Sequence, residues 1–73
     1  MYNIAWNLKI GAKARIVDIE GGLVFVDKME SRGIHTGKEV EIISKMGPIV
    51  IKIDNFKMAI GRWMAKKIIV EEI

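Results

Sequence analysis

The stretch from Ser31 to Ile42 constrains the chain more than any other, because the hydrophobic period changes inside it. Before it, Leu23, Val26 and Met29 recur at every third residue, which suits one face of a short helix. After it, Val40 and Ile42 alternate with Glu39 and Glu41, which suits a half-buried strand. Two glycines mark the change. Gly33 stands where a left-handed residue would end the helix, since glycine has no Cβ to clash there. Ile34 would then fold back onto Met29, the apolar contact that accompanies such a stop. Gly37 reads as the turn that opens the strand.

Seventy-three residues allow one domain, spanning 1–73. A chain of this size buries only roughly 60% of the surface its unfolded form exposes. Its expected stability is about 4–8 kcal/mol at typical per-residue values. There is no cysteine, hence no disulfide framework and no thiolate metal site. No apolar run approaches the ~18 residues needed to cross a bilayer. The first residues show no basic segment followed by an apolar one, so no signal peptide is expected and the cytoplasm is the default.

Taken in order, Ile4, Trp6 and Leu8 form a loosely alternating lead-in that packs Leu8, with Trp6, against the core. A strand follows over Ala12–Ile19. Its parity slips at Val17-Asp18-Ile19, which predicts a bulge near Val17. Glu20-Gly21-Gly22 is a loop. Leu23–Arg32 opens with strand formers, Leu-Val-Phe-Val, and closes with a helical pattern ending at Gly33. Further strands are expected at 38–45, 49–54, 56–60 and 67–71. Ile49, Ile51 and Ile53 share one face, as do Phe56, Met58 and Ile60, with Phe56 expected to point inward. Asp54-Asn55 suits a tight turn, and Gly61–Ala65 a single helical turn. Five short strands and one helix bury little unless the sheet curls into a small barrel, which also removes exposed edges.

The order of these features resembles the FeoA domain family. The shared pattern is Met29-Glu30, Gly33-Ile34, Gly37 and Val40, preceded by Leu8, Gly11 and Ala14–Ile19. Gly47-Pro48 with Ile49–Ile51, then Met58–Arg62, Ala65 and Ile68–Val70, extend the likeness over nearly the whole chain. Each motif is weak alone; seven in register are far more specific. The resemblance implies an SH3-like five-stranded barrel, mainly β with one short helix, and it selects helix for Leu23–Arg32. It further implies a cytoplasmic accessory protein of bacterial ferrous iron uptake. The implied partner is the FeoB-type membrane transporter, through its cytosolic GTP-binding domain. The family often carries small or basic residues where this chain has Leu23–Val26.

The residues offer little for chemistry. His35 is the lone histidine, set in a polar turn, and no nucleophile–base–orienter set can be assembled, so no enzyme is expected. Gly21-Gly22 lacks the Gly-Lys-Ser/Thr of a phosphate loop. The donors His35, Glu30, Glu39, Glu41 and Asp18 are scattered, so no intrinsic cofactor is expected; Fe²⁺ enters only by family association. Net charge is +3, from 12 basic and 9 acidic residues, too small to imply nucleic acid by itself. Between Lys45 and Lys67, however, six cations face only Asp54. With Phe56 and Trp63 nearby, a small-barrel nucleic-acid-binding module is the alternative, as is a regulatory barrel of the kind found in iron-dependent repressors. A free-standing chain of this length without a DNA-binding helix pair speaks against the repressor version, and no specific nucleic acid is expected. The favoured candidates are surfaces for a protein partner. If Leu23, Val26 and Met29 fill the core, Val24 looks outward and Phe25 sits at the border; Arg62 and Trp63 make a second patch.

Overall fold

A computed structural model describes residues 1–73. Six strands form one antiparallel sheet: β1 (Tyr2–Ile4), β2 (Lys13–Ile19), β3 (Glu39–Ser44), β4 (Ile49–Ile53), β5 (Phe56–Ile60) and β6 (Ile68–Glu72). Their order is β1-β6-β2-β3-β4-β5. A single 3-10 turn, Ala5–Asn7, follows β1; helix α1 (Leu23–Ser31) links β2 to β3, and the one-turn helix α2 (Arg62–Ala65) links β5 to β6. The architecture is the expected SH3-like one, with a sixth strand. The lead-in not only packs Leu8 but also pairs Tyr2, Asn3 and Ile4 with Glu71, Val70 and Ile69. β1 and β5 remain the ends of the sheet, so the curl does not remove every edge. β5 carries Lys57, the kind of charged edge residue that discourages pairing with another chain.

The core is wholly apolar, with no buried polar or charged side chain. Isoleucine dominates it, as suits a pleated surface that favours β-branched side chains. Ile49, Ile51 and Ile53 all point inward from β4. β2 shows why its parity slips. Ala14 and Ile16 are buried, and so is Ile19, three residues on. A register shift between Ile16 and Asp18 absorbs Val17 and returns Ile19 to the core. A second shift between Ile42 and Ser44 bends β3 in the same way. The β4–β5 hairpin turns at Asp54-Asn55, with Asp54 at φ +54°.

The end of α1 is a Schellman motif. Gly33 has φ +93°, its N–H donates to the Glu30 carbonyl at 2.9 Å, and the Ile34 N–H donates to the Met29 carbonyl at 3.1 Å. Met29 and Ile34 are both fully buried, as the apolar contact of this motif requires. Past the turn, the Gly37 N–H donates to the Ile16 carbonyl at 2.7 Å, which lays the loop along β2.

Two side-chain expectations also fail. Leu23 is 79% exposed rather than in the core. At about 100° per residue, three-residue steps slip by about 60° each, so Leu23 lies about 120° from Met29 around the helix. The packed stripe is instead Phe25, Val26 and Met29, with the first two half-buried. Phe56 does not point into the barrel: it is 41% exposed, and its ring lies over Gly33. Beside the turn it can cover the helix stop, where Ile53, its partner across the hairpin, already fills the interior.

Candidate partner-binding surfaces

Two surfaces stand out, one on each helix. The first begins at Gly22, the N-cap of α1, which carries no capping side chain. From there the helix projects Leu23 and Val24 into solvent, at 79% and 83% exposure. Phe25, next in line, is half-buried and packs back against the loop, so closely that a Cβ on Gly21 would stand 2.8 Å from its Cδ2. Lys67 lies 6.0 Å from the Phe25 ring. Of the pair expected here, Val24 is on the outside and Phe25 at the border. Leu23 belongs with Val24, and the angular step along the helix was the signal that could have found it.

The second surface is built where α2 meets the 3-10 turn. The sheet brings the lead-in beside β6, and α2 immediately precedes β6, so Trp6 and Arg62 become neighbours. The Arg62 guanidinium lies 5.5 Å from the Trp6 ring centre and the Lys45 ammonium 5.3 Å from it. Lys45 also donates to the Trp6 carbonyl at 2.7 Å and the Leu8 carbonyl at 2.9 Å. That cation therefore satisfies carbonyls left over at the end of the 3-10 turn and pins Trp6 in place. Trp63 is 77% exposed, with Lys66 5.9 Å from its ring. Arg62 and Trp63 are sequence neighbours at the start of α2, and Lys66 reaches the Trp63 ring from three residues on; Trp6 and Lys45 join them through contacts that no local pattern announces.

The rest of the surface is charged and largely self-compensating. Arg15 pairs with Glu39 at 3.4 Å and Lys38 with Asp54 at 3.0 Å. A shallow open groove of about 460 Å³ crosses β2, β3 and β4. Charged residues dominate its walls, and Val40 is its one apolar lining residue, unlike the apolar cavities that hold small molecules. Asp18 accepts the Ile19 N–H at 2.8 Å. No three His, Cys, Asp or Glu side chains converge in a way that could hold a metal ion. The His35 side chain is exposed and makes no hydrogen bond, and the Ser31 hydroxyl donates to the Lys28 carbonyl at 2.8 Å, so neither is poised against the other. No helix is long and apolar enough to cross a membrane.

Comparison with known proteins places this geometry. The FeoA domain model matches residues 7–72. A candidate Fe(2+) transport protein A of Methanocaldococcus jannaschii is 33% identical over 73 residues, covering 99% of this chain and 88% of that protein. The crystal structure of an iron uptake regulatory protein, FeoA, superposes with a TM-score of 0.93 at 29% identity, covering 100% of this chain and 99% of that one. A manganese-dependent transcriptional repressor, in complex with manganese, contains the same fold. Its TM-score is 0.91 at 18% identity, over 99% of this chain but 37% of the repressor. With the family pattern matched from the lead-in to the last strand and the fold shared in full, the chain belongs to the FeoA domain family.

Proposed function

We propose that this protein is a non-catalytic, cytoplasmic accessory protein of ferrous iron uptake. All 73 residues act as one unit that binds the cytosolic GTP-binding domain of a FeoB-type membrane transporter. Family membership and the Fe(2+) transport name of the Methanocaldococcus relative support the iron context. Fe²⁺ is the transporter's cargo in this reading. The observation that carries the contact mechanism is the exposure of Val24, 83%, beside Leu23. Apolar side chains at the start of a helix gain nothing from folding there, yet they are what an interface centre desolvates. Arg62 and Trp63 are the second contact.

The test is an NMR titration of the labelled protein with the transporter's cytosolic domain, in each nucleotide state, for wild type and Val24→Glu. A charge at a desolvated apolar contact costs about 2 kcal/mol or more, so the variant should bind at least thirtyfold more weakly. Its folding stability should move by no more than about 0.5 kcal/mol, because the site is solvated in the free protein. Shifts confined to neither Leu23–Phe25 nor Arg62–Trp63 would refute the residue assignment. An absence of shifts in every nucleotide state would refute direct binding.

A further inference from the structure

The cations around α2 differ from the others in how they are satisfied. Both ion pairs of the molecule lie elsewhere, on β2–β3 and at the β4–β5 turn. Arg62 and Lys66 have no carboxylate within 4.0 Å and no side-chain hydrogen bond; aromatic rings are their neighbours instead. The Arg62 guanidinium, 5.5 Å from the Trp6 ring centre, spends none of its N–H donors on a protein acceptor, so they stay free for a bidentate one. Lys45 is different, since two backbone carbonyls already hold it and it serves to position Trp6. The result is a preorganised patch: two indoles, two cations with unused donors, and a third cation that locks one ring.

We propose that the patch formed by Trp6, Arg62, Trp63 and Lys66 is a docking surface for an acidic peptide segment of a protein partner, one that alternates carboxylates with apolar side chains. The occupant follows from the chemistry. Unused N–H donors call for carboxylate oxygens, and the largely exposed Trp63 ring calls for an apolar neighbour. A single-stranded nucleic acid fits less well, because it needs open aromatic faces for its bases, and the Trp6 ring already has two cations against it. The assignment deepens the second contact of the transporter reading and rests on it for the identity of the partner, but not for the chemistry of the site.

The experiment therefore uses probes other than the transporter. A short synthetic peptide of Asp, Glu and Leu is titrated into the labelled protein, with the indole N–H signals of Trp6 and Trp63 as reporters. An Asn, Gln and Leu analogue and a single-stranded oligothymidylate serve as comparisons. Both indole signals should move with the acidic peptide, and Arg62→Gln or Lys66→Gln should weaken it about tenfold, the usual effect of losing a charge-assisted hydrogen bond. Lys57→Gln removes the same charge from β5 and should leave the affinity unchanged. Equal weakening by Lys57→Gln would reduce the effect to net charge and overturn the site. Equal binding of the neutral analogue, tighter binding of the oligonucleotide, or unmoved indoles would overturn it too. If the acidic peptide binds as stated and the transporter domain does not, the surface stands and the transporter reading falls.

Discussion

Gly33→Ala tests the part of the structure on which the rest depends. Alanine at φ +93° brings its Cβ against the backbone, at about 1–2 kcal/mol. The chain has two responses. It can keep the left-handed turn and carry the strain. Or it can abandon positive φ, lose the hydrogen bonds from Gly33 to Glu30 and from Ile34 to Met29, and draw Ile34 out of the core. Exposing one fully buried isoleucine costs about 1.5–3 kcal/mol before the two hydrogen bonds are counted. Carrying the strain is cheaper, so the fold should persist. The new Cβ would also stand 3.1 Å from Phe56 Cζ, but that ring is partly exposed and can shift outward by a few tenths of an ångström. Alanine restricts the unfolded chain, which offsets part of the strain, yet at positive φ the net effect is still destabilising. The expected loss is about 1–2 kcal/mol, a fall in Tm of roughly 4–16 °C for a chain of this size. Urea unfolding followed by tryptophan fluorescence, with an unchanged slope, measures it. Repeating the substitution in Phe56→Leu separates the sources: coupling below about 0.5 kcal/mol assigns the cost to φ, and larger coupling assigns it to the ring. An unchanged midpoint in Gly33→Ala would refute the reasoning outright.

Two smaller changes should stabilise. Gly22 caps α1 with extended geometry, φ −72° and ψ 167°, without a side-chain hydrogen bond, with no acidic residue in the first turn and open space where a Cβ would stand. Gly22→Asp should therefore add about 0.3–1 kcal/mol in urea unfolding, and a lower midpoint would contradict the cap assignment. Lys13, Glu41, Lys52 and Lys57 form a row across four strands, alternating in sign until Lys52 meets Lys57. Lys57→Glu completes the alternation and should add about 0.2–1 kcal/mol. The gain should shrink in high salt; a gain indifferent to salt would rule out its electrostatic origin.

What could be read from the sequence was what local rules govern. Gly33 as a helix stop, the inward row of Ile49, Ile51 and Ile53, the slip at Val17 and the Asp54-Asn55 turn each follow from backbone sterics or side-chain period within a few residues. Leu23 was misplaced because a three-residue repeat imitates a helical stripe only over one turn. Phe56 departs from the alternation of its strand because Ile53, opposite it across the hairpin, already fills the interior. The pairing of Tyr2–Ile4 with β6 had no period to reveal it, because Tyr2 and Asn3 are exposed on an edge. The Lys45 bonds to Trp6 and Leu8 span 39 and 37 residues, beyond any pattern in the chain. Half of the second surface was therefore invisible until the lead-in and α2 were seen side by side.

The two surfaces would respond differently to solution conditions, and that separates them within a single complex. Contact through Leu23 and Val24 would be apolar, so its contribution should hold as salt rises and should act mainly on the dissociation rate. Contact through Arg62 and Lys66 is exposed charge, so its contribution should fade with salt and act on the association rate. A partner that uses both would lose only part of its affinity at high salt, and Val24→Glu would then remove most of the remainder. A partner that uses α2 alone would lose the larger part and keep only its apolar contact with Trp63. Val24, Arg62, Trp63 and Lys66 all lie outside the apolar core, against which Phe25 and Trp6 pack. Binding and folding should therefore be separable by mutation: Gly33 changes stability, while Val24, Arg62 and Lys66 change recognition.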